Sequence, residues 1–310
     1  MRVFLAGATG VIGRRLVPML VAEGHEVTGM TRSPEKADAL KAMGAEPVVA
    51  DALAAEAVLA AMLEARPDAV VHELTSLPPR LVPRRIGRDL AATDRLRSEG
   101  TRHLLAAAQA AGVKRVLAQG VAFTYAPGPT GTVHGEDDPL NVDHAGPFKR
   151  SALALAELER TVRAAGGLVL RYGYFYGPHS SISSTGSIGR DVLRRRLPII
   201  GKGHGVWSFI QIEDAARATV AALARGATGA YNVVDDEPAP VSEWLPELAA
   251  ALGAPSPYRV SAFIARPLAG AYGIATMTRA QGACNERAKM VLGWAPKYPS
   301  WREGFREALG

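Results

Sequence analysis

Three glycines near the start of the chain have the type and spacing of a turn that binds a pyrophosphate. They lie in the run GATGVIG, directly after an apolar segment typical of a strand and directly before a segment typical of a helix. Glycine lets the chain turn sharply and approach a phosphate closely, and the following helix adds unpaired N–H groups and the positive end of its dipole. We therefore predict that this run binds a dinucleotide through Gly7, Thr9, Gly10, Val11, Ile12 and Gly13.

The residues that follow the second predicted strand indicate which dinucleotide is bound. A cofactor with a free ribose 2′-hydroxyl is usually held by an acidic residue about twenty positions after the glycines. Here that place reads MTRSPEK, with Thr31 and Arg32 where the carboxylate is expected. Because an arginine can pair with a 2′-phosphate, we predict NADP(H) rather than NAD; the alternative is that Arg32 is an ordinary surface arginine.

The elements that position these residues alternate along the first half of the chain, which is typical of βαβ units and a parallel sheet. Strands are predicted at residues 3–6, 26–30, 46–50, 69–73, 115–118 and 168–172, and helices at 12–23, 34–43, 54–65, 98–111 and 151–165. The fold class is therefore α/β, a Rossmann-type doubly wound parallel sheet with a small C-terminal substrate lobe. We expect a dinucleotide-binding domain at residues 1–172, rejoined by 206–236, and a substrate lobe at 173–205 and 237–310.

The composition predicts a soluble, cytoplasmic protein that acts on a small molecule. The net charge is +6, but Lys and Arg are spread along the chain without zinc-finger spacing or a basic tail, so no nucleic-acid partner is expected. The most apolar late stretch, residues 260–277, contains Arg266 and Pro267, so no membrane span is expected. Cys284 is the only cysteine, which excludes an internal disulfide and a thiolate metal cluster, and no metal site is predicted.

Several later motifs add a resemblance to a known family. LRYGYFYGP at residues 170–178, FIQIEDAARA at 209–218 and LGWAPKYPSWREGF at 292–305 are similar to its Tyr-Gly-Pro, Asp-Ala and Leu-Gly-Trp-x-Pro segments. Together with GATGVIG, they make the chain resemble the extended short-chain dehydrogenase/reductase family, often labelled NAD-dependent epimerase/dehydratase, over nearly its whole length.

That resemblance implies further cofactor contacts. Asp51 and its neighbour Ala52, just after the third strand, would contact the adenine, and Leu74 and Thr75, after the fourth strand, would lie along the cofactor. Lys149 would hold the nicotinamide ribose. Tyr172, at the end of the sixth predicted strand, is also predicted to contact the cofactor.

The departures from the family fall on its catalytic residues. Where the family has Ser or Thr after the fifth strand, this chain has Val121, with Thr124 a turn later. The family also carries a tyrosine four residues before the lysine, and Ala145 stands at that spacing before Lys149. The sequence therefore keeps only Lys149 of the expected catalytic set.

Other side chains could replace the missing acid, because a positioned proton donor lowers the barrier of a hydride reduction by about two to four orders of magnitude. Tyr174, where the family often has Asn, and Tyr125, above the fifth strand with Thr124 beside it, are the candidates. For each tyrosine the alternative is a packed ring whose hydroxyl is already bonded. The substrate pocket is predicted to include Tyr174, His179 and Trp207, which favours an apolar or aromatic ligand.

Three functions are consistent with these residues. The leading hypothesis is an NADP(H)-dependent reductase of a small carbonyl or conjugated compound with a substituted proton donor. The alternatives are a regulator that binds NADP without turnover, and a sugar-nucleotide epimerase or dehydratase. The latter needs a base, and Lys149 could serve as that base only if burial lowered its pKa. The Ala-rich helices at 98–111 and 151–165 also predict a homodimer, since small residues let helices approach closely across a two-fold axis.

Overall fold

The computed structural model describes residues 1–129, 131–143 and 146–309. Ala145, the position at which the sequence departs from the expected tyrosine, lies outside the described residues.

The helices and strands alternate in the first half of the chain as the sequence predicts. The strands are β1 Arg2–Ala6, β2 Glu26–Thr31, β3 Glu46–Val49, β4 Ala69–His72, β5 Arg115–Val121, β6 Val133–His134, β7 Leu168–Tyr172, β8 Tyr174–Tyr176, β9 Ile199–Ile200, β10 Val206–Trp207, β11 Phe209–Gln211, β12 Gly229–Val233, β13 Ala239–Pro240, β14 Arg259–Val260 and β15 Gly282–Ala283. The helices are α1 Gly13–Ala22, α2 Ala37–Ala42, α3 Ala55–Ala65, α4 Ile86–Asp89, α5 Ala91–Arg95, α6 Thr101–Ala110, α7 Lys149–Ala164, α8 Ser187–Leu193, α9 Ile212–Ala224, α10 Val241–Ala251, α11 Ala262–Thr278, α12 Glu286–Leu292 and α13 Trp301–Glu307. A π-helical turn, Leu96–Gly100, joins α5 to α6.

A seven-stranded sheet forms the centre of the molecule, in the order β12-β7-β5-β4-β1-β2-β3. Every neighbouring pair in it is parallel. The strand order reverses between β1 and β4, and in doubly wound sheets a ligand binds outside the carboxyl ends of the strands at such a point. The predicted α/β fold is confirmed, and the sheet places the glycine run of residues 7–13 at that crevice.

Apolar residues on both faces of the sheet hold the helices in place, because parallel strands are buried on both sides. On one face, Leu16 and Leu20 of α1 pack in one cluster with Ala218 and Ala222 of α9. On the other face, Met62 of α3 packs in a cluster that includes α6 and the strand residues beneath it.

A separate core forms the C-terminal lobe. Trp244 of α10 and Trp301 and Phe305 of α13 are almost fully buried there. Trp207 and Phe209 belong to the same cluster, so the segment 206–236 divides: its first two strands contribute to the lobe, whereas α9 and β12 return to the nucleotide-binding half. Among the described helices, none is both long and apolar enough to cross a membrane.

Candidate active site

The glycine run forms a tight turn between β1 and α1. Gly7 has φ +97°, a conformation that L side chains rarely adopt, and a Cβ there would lie 2.6 Å from the carbonyl oxygen of Glu73. The N–H of Gly10 donates to the carbonyl oxygen of Gly7 at 2.9 Å. At Gly13, where α1 begins, a Cβ would overlap the same carbonyl oxygen. These contacts are those of a cradle that brings backbone N–H groups close to a pyrophosphate, so the run fits a dinucleotide.

The residues of the glycine run differ in their exposure to solvent. Thr9 and Val11 are half-exposed and Gly10 is exposed, so all three are open to a ligand. Ile12 is buried in the core beneath α1, which leaves only its backbone for a phosphate. Arg14, one residue into the helix, donates from Nε to the carbonyl oxygen of Thr9 at 3.0 Å and steadies the turn.

The strand ends beside the turn carry the groups predicted to contact the adenosine half. Arg32 is exposed after β2, and its Nη2 donates to Ser76 Oγ at 3.4 Å, across the end of β1. The hydroxyl of Thr31 faces its own turn and accepts from the N–H of Ser33 at 3.2 Å. Arg32 is therefore the group in this turn whose charge is free to meet a 2′-phosphate.

The adenine contacts predicted after β3 are only partly supported. Asp51 is exposed, and its Oδ1 accepts from the N–H of Leu53 at 2.9 Å, which leaves its other oxygen open. Ala52 is buried in the core beside α3 and α6, which leaves only its backbone for the adenine, so this contact stays a prediction. Leu74 is half-buried and Thr75 is exposed in the loop after β4, as a contact along the cofactor requires.

A buried carboxyl that the sequence analysis missed belongs to Glu73, the residue whose main chain packs against Gly7. Glu73 follows β4, and its Oε1 accepts from the Tyr172 hydroxyl at 3.1 Å, while Oε2 has no hydrogen-bond partner in the described part of the chain. The Tyr172 hydroxyl also lies 2.6 Å from Thr219 Oγ1. Burial raises the pKa of Glu73 to about 8, so this carboxyl is largely protonated at neutral pH.

The same hydrogen bonds correct the prediction for Tyr172. Its side chain is fully buried and its hydroxyl is bonded within the protein, so it cannot touch a cofactor. The sequence did indicate that Glu73 is unusual, because this carboxylate directly follows the apolar run that forms β4. An unpaired acid at the end of a buried strand is expensive unless it is protonated.

Lys149 lies at the first residue of α7, exposed to solvent. It lines a surface groove together with Ser98 and Glu157, on the side of α7 that faces the outside of α5 and α6. The buried face of α7 carries Ser151 and Leu155 instead. This placement argues against the prediction that Lys149 holds the nicotinamide ribose. Ser151 and Leu155 lie four residues apart, the spacing that separates the tyrosine and the lysine of the family. The buried face of α7 therefore carries neither of those two residues at that spacing.

Tyr125 and Thr124 are engaged in the interior. The Tyr125 hydroxyl donates to Asn232 Oδ1 at 2.5 Å and accepts from Arg171 Nη1 at 2.8 Å, and its ring stacks on His134. Burial raises the pKa of Tyr125 to about 12. Thr124 is buried, and its hydroxyl donates to the carbonyl oxygen of Val121 at 3.5 Å. These bonds support the structural alternative for both residues and contradict their assignment as proton donors.

Tyr174 stands at the crevice between the sheet and the lobe. Its ring is stacked between Phe123, with centroids 4.4 Å apart, and Trp207, at 3.9 Å. Among the described residues, its hydroxyl has no hydrogen-bond partner, and burial raises its pKa well above the usual value. Its hydroxyl therefore has unused hydrogen-bonding capacity among the described residues, but it is a weaker acid than a free tyrosine.

The other two predicted substrate residues differ from Tyr174. Trp207 is 6% exposed, stacks behind Tyr174 and donates from Nε1 to the carbonyl oxygen of Thr276 at 3.1 Å, so it belongs to the core of the lobe and not to the pocket surface. His179 is exposed on the loop after β8 with φ +69°, and its role as a substrate contact stays a prediction.

Comparison with known proteins places this geometry in a family. The model of the NAD dependent epimerase/dehydratase family matches residues 3–234. The chain belongs to that family, as the sequence motifs predict.

Two relatives and one solved structure are similar over nearly the whole chain. A 3-diazoavenalumate denitrifying reductase of a Streptomyces species is 48% identical over 309 residues, which cover 98% of this chain and 99% of that protein. A 2-alkyl-3-oxoalkanoate reductase of Stenotrophomonas maltophilia strain K279a is 28% identical over 351 residues, covering 99% and 98%. The crystal structure of a Thermotoga maritima UDP-glucose 4-epimerase with UDP-glucose has a TM-score of 0.79 at 19% identity, covers 100% of this chain and 97% of that one, and shows the same fold.

Family and relatives together define the enzyme class. The chain is an oxidoreductase-type enzyme, a reductase of the short-chain dehydrogenase/reductase type, with a site for a nicotinamide cofactor.

Proposed function

We propose that this protein is an NADPH-dependent reductase that removes a diazo group from an aromatic carboxylate. The observation that carries the proposal is the 48% identity, over almost the full length of both chains, with a relative whose name describes the denitrifying reduction of a 3-diazo compound that is an anion. The aromatic character of the crevice around Tyr174 and Phe148 supports the same substrate class.

The chemistry of this reaction agrees with the departures from the catalytic residues of the family. When bound, a reduced nicotinamide supplies a hydride, and an arenediazonium that accepts it gains a C–H bond while N2 leaves with the C–N electron pair. No oxygen takes up negative charge in that exchange, so no acid has to protonate an alkoxide. A chain with no tyrosine on α7 and with Ser151 and Leu155 on its buried face can therefore perform it.

The cofactor in this proposal is NADPH. The backbone of the turn at Gly7 and Gly10 would hold the pyrophosphate, and Arg32 would pair with the 2′-phosphate through its planar guanidinium. The main chain of Glu73 lies next to Gly7, and its carboxyl, whose pKa burial raises to about 8, adds little negative charge near the turn at neutral pH.

Isotope transfer tests the reaction directly. The purified protein is incubated with 4-carboxybenzenediazonium and NADPH deuterated at either face of nicotinamide C4, and the benzoate formed is analysed by mass spectrometry and NMR. We expect one deuterium, from one face only, at the ring carbon that carried nitrogen. A protein-free control measures the background, and benzoate formation at the background rate would contradict the proposal. Tight NADPH binding with no turnover of diazonium or carbonyl compounds would favour the regulator.

A carbonyl reductase is the second candidate, and the free hydroxyl of Tyr174 favours it. Reduction of a ketone leaves an alkoxide, which needs a proton donor. Changing Tyr174 to Phe separates the two reactions: ketone reduction should fall by about a hundredfold or more, whereas hydride transfer to a diazonium should change little. Loss of both activities, with folding and NADPH binding intact, would mean that Tyr174 orients the substrate.

A further inference from the structure

Arg97 is a buried cation whose hydrogen-bonding capacity is almost unused. It lies in the π-helical turn between α5 and α6 and is 8% exposed. A guanidinium carries five N–H donors, and in the described part of the chain the closest carboxylate oxygen is Asp94 Oδ1, at 3.9 Å. That distance is an ion pair without a hydrogen bond. Buried charges in proteins are normally paired and hydrogen-bonded, so this one is open to a further partner.

The groups around Arg97 leave its charge only partly compensated. Asp94 turns its other oxygen, Oδ2, to Ser151, whose hydroxyl donates to it at 2.9 Å. Within residues 1–129, 131–143 and 146–309, Asp94 Oδ1 has no hydrogen-bond partner. On the sheet side, His72 bonds Thr101 Oγ1 at 3.0 Å, and burial, reinforced by the Arg97 charge, lowers the pKa of His72 to about 4. The histidine is therefore neutral at physiological pH and does not change the net charge around Arg97.

Aromatic rings pack on the first turns of α7, the part of that helix to which Asp94, the ion-pair partner of Arg97, is hydrogen-bonded through Ser151. Tyr272 of α11 is half-buried, and its ring stacks on Phe148 with centroids 4.9 Å apart. Burial raises the pKa of Tyr272 to about 12, and a hydrogen bond to Thr276 and the charge of Arg97 oppose that rise. Phe148 also belongs to an apolar cluster with Val121 and Leu155, packed against Phe123 beside Tyr174.

We propose that Arg97 binds the carboxylate of the substrate, with the aromatic part of the substrate against Tyr272 and Phe148. A planar carboxylate fits the guanidinium fork with two parallel hydrogen bonds, and an anion supplies the charge that Asp94 provides only at 3.9 Å. This inference rests on the proposed function for the substrate class, but it assigns a binding residue that a binding measurement tests without turnover.

The local backbone gives Arg97 this position. A π turn inserts one extra residue into the helical hydrogen-bond pattern and is often found at functional sites. The turn at Leu96–Gly100 divides the helix so that Arg97 lies inward while Arg95, two residues earlier, lies outward and forms a bidentate pair with Glu99. Arg95 is therefore a suitable control for Arg97: it is exposed and hydrogen-bonded to a carboxylate, whereas Arg97 is buried and has no such hydrogen bond among the described residues.

The test compares two ligands that differ only in charge. Binding of cinnamate and of cinnamamide to the protein saturated with NADP⁺ is measured by calorimetry, for the wild type and for Arg97→Met, Arg97→Lys and Arg95→Met. For the wild type we expect cinnamate to bind at least about tenfold more tightly than the amide, as hydrogen bonds to a charged group predict. Arg97→Met should remove that preference, Arg97→Lys should keep part of it, and Arg95→Met should keep all of it.

The outcomes distinguish two groups that Arg97 could bind, the carboxylate of the substrate and the ribose hydroxyls of the cofactor. NADPH affinity is measured for the same variants, and it should stay within about twofold of the wild type. If Arg97→Met weakens NADPH by about tenfold and leaves the preference for cinnamate intact, Arg97 binds the ribose hydroxyls and the proposal is overturned. Equal binding of cinnamate and cinnamamide to the wild type also overturns it, even where no variant folds. If cinnamate binds more tightly than cinnamamide but the diazonium is not turned over, Arg97 remains the residue that binds the carboxylate and the proposed reaction is rejected.

Discussion

Arg32 is the residue on which the choice between the two nicotinamide dinucleotides depends. Its guanidinium is exposed after β2 and touches Ser76 only at 3.4 Å, so it can turn to a phosphate without losing a strong bond. We expect Arg32→Ala to weaken NADPH binding by about tenfold or more, because hydrogen bonds to a charged group contribute about 1.5–3 kcal/mol, and to leave NADH binding nearly unchanged. Titration of the fluorescence of the bound nicotinamide measures both affinities.

A control removes the same charge elsewhere. Lys114 is exposed just before β5, at the amino end of that strand and away from the crevice, so Lys114→Ala should change neither affinity. Equal losses of NADPH and NADH binding in Arg32→Ala would show that Arg32 acts on the shared adenosine part, and the assignment of NADPH would then have no support at this position.

Glu73 should make the stability of the protein depend on pH. Its folded-state pKa is raised to about 8 from 4.5, so between these values the native state binds a proton that the unfolded state releases. The free energy of unfolding therefore falls as pH rises from 5 to 8, on the order of 2–4 kcal/mol from this group. Glu73→Gln keeps an acceptor for the Tyr172 hydroxyl but cannot ionise, so its stability should fall less over this range.

Urea unfolding at pH 5, 6.5 and 8 measures this difference. All other titrating groups are common to both proteins, so the change in free energy of unfolding with pH is compared between them. Parallel curves for the wild type and Glu73→Gln would mean that Glu73 is ionised in the folded protein, contrary to the effect of its burial.

At the residue scale, the sequence predicts best those positions that depend on backbone geometry. The glycine turn depends on Cβ-free positions next to one strand and one helix, and both conditions can be read locally. Lys149 was placed by spacing, and spacing does not tell which face of a helix points inward. Arg97 and Glu73 were missed because their importance comes from burial by distant segments, which no local pattern records.

Among the elements, the β1–α1 turn makes a distinct prediction. Gly7 and Gly112 both have positive φ, but a Cβ at Gly7 would lie 2.6 Å from Glu73 O whereas nothing lies within 4 Å of a Cβ at Gly112. Gly112→Ala should therefore cost only the backbone strain, about 1–2 kcal/mol. Gly7→Ala should cost more and should also weaken NADPH binding, because β1 and β4 must separate at the crevice. Thermal unfolding and NADPH titration of both variants check this, and equal effects would reject the close approach as the reason for Gly7.

Helix α7 is fixed to strand β7 by a buried ion pair. Arg171 Nη2 and Glu159 Oε2 are 2.6 Å apart, and Arg171 Nε donates to Glu159 Oε1 at 2.9 Å. We expect Arg171→Met to destabilise the protein by about 3–5 kcal/mol, because Glu159 would keep a buried charge without a partner. The double variant Arg171→Met with Glu159→Leu should recover much of that loss. Urea unfolding of the three proteins measures the coupling, and additive losses would contradict it.

The elements themselves were predicted better than the contacts between them. Apolar runs predicted β1 and β7 almost to the residue, whereas β5 continues to Val121, beyond the predicted end at residue 118. The allocation of Trp207 to the lobe could not be predicted, since a two-residue strand such as β10 has no periodicity to read.

At the scale of the whole molecule, the outer face of α6 and α7 is the surface on which the predicted homodimer depends. Arg102 of α6 and Glu157 of α7 are 3.9 Å apart there, and Leu153 is 46% exposed beside the groove that Lys149 lines. Small residues elsewhere on both helices permit a second pair of helices to approach closely. We expect a dimer at micromolar concentration by light scattering, and Leu153→Arg should shift it to a monomer, since two copies of the new charge would be buried near the two-fold axis. Leu193→Arg, a matched change on α8 at 42% exposure, should leave the dimer intact. A wild type that is monomeric at these concentrations, or a dimer that tolerates Leu153→Arg, would place the interface elsewhere or remove it, and the exposed Lys149 would then be an ordinary surface residue.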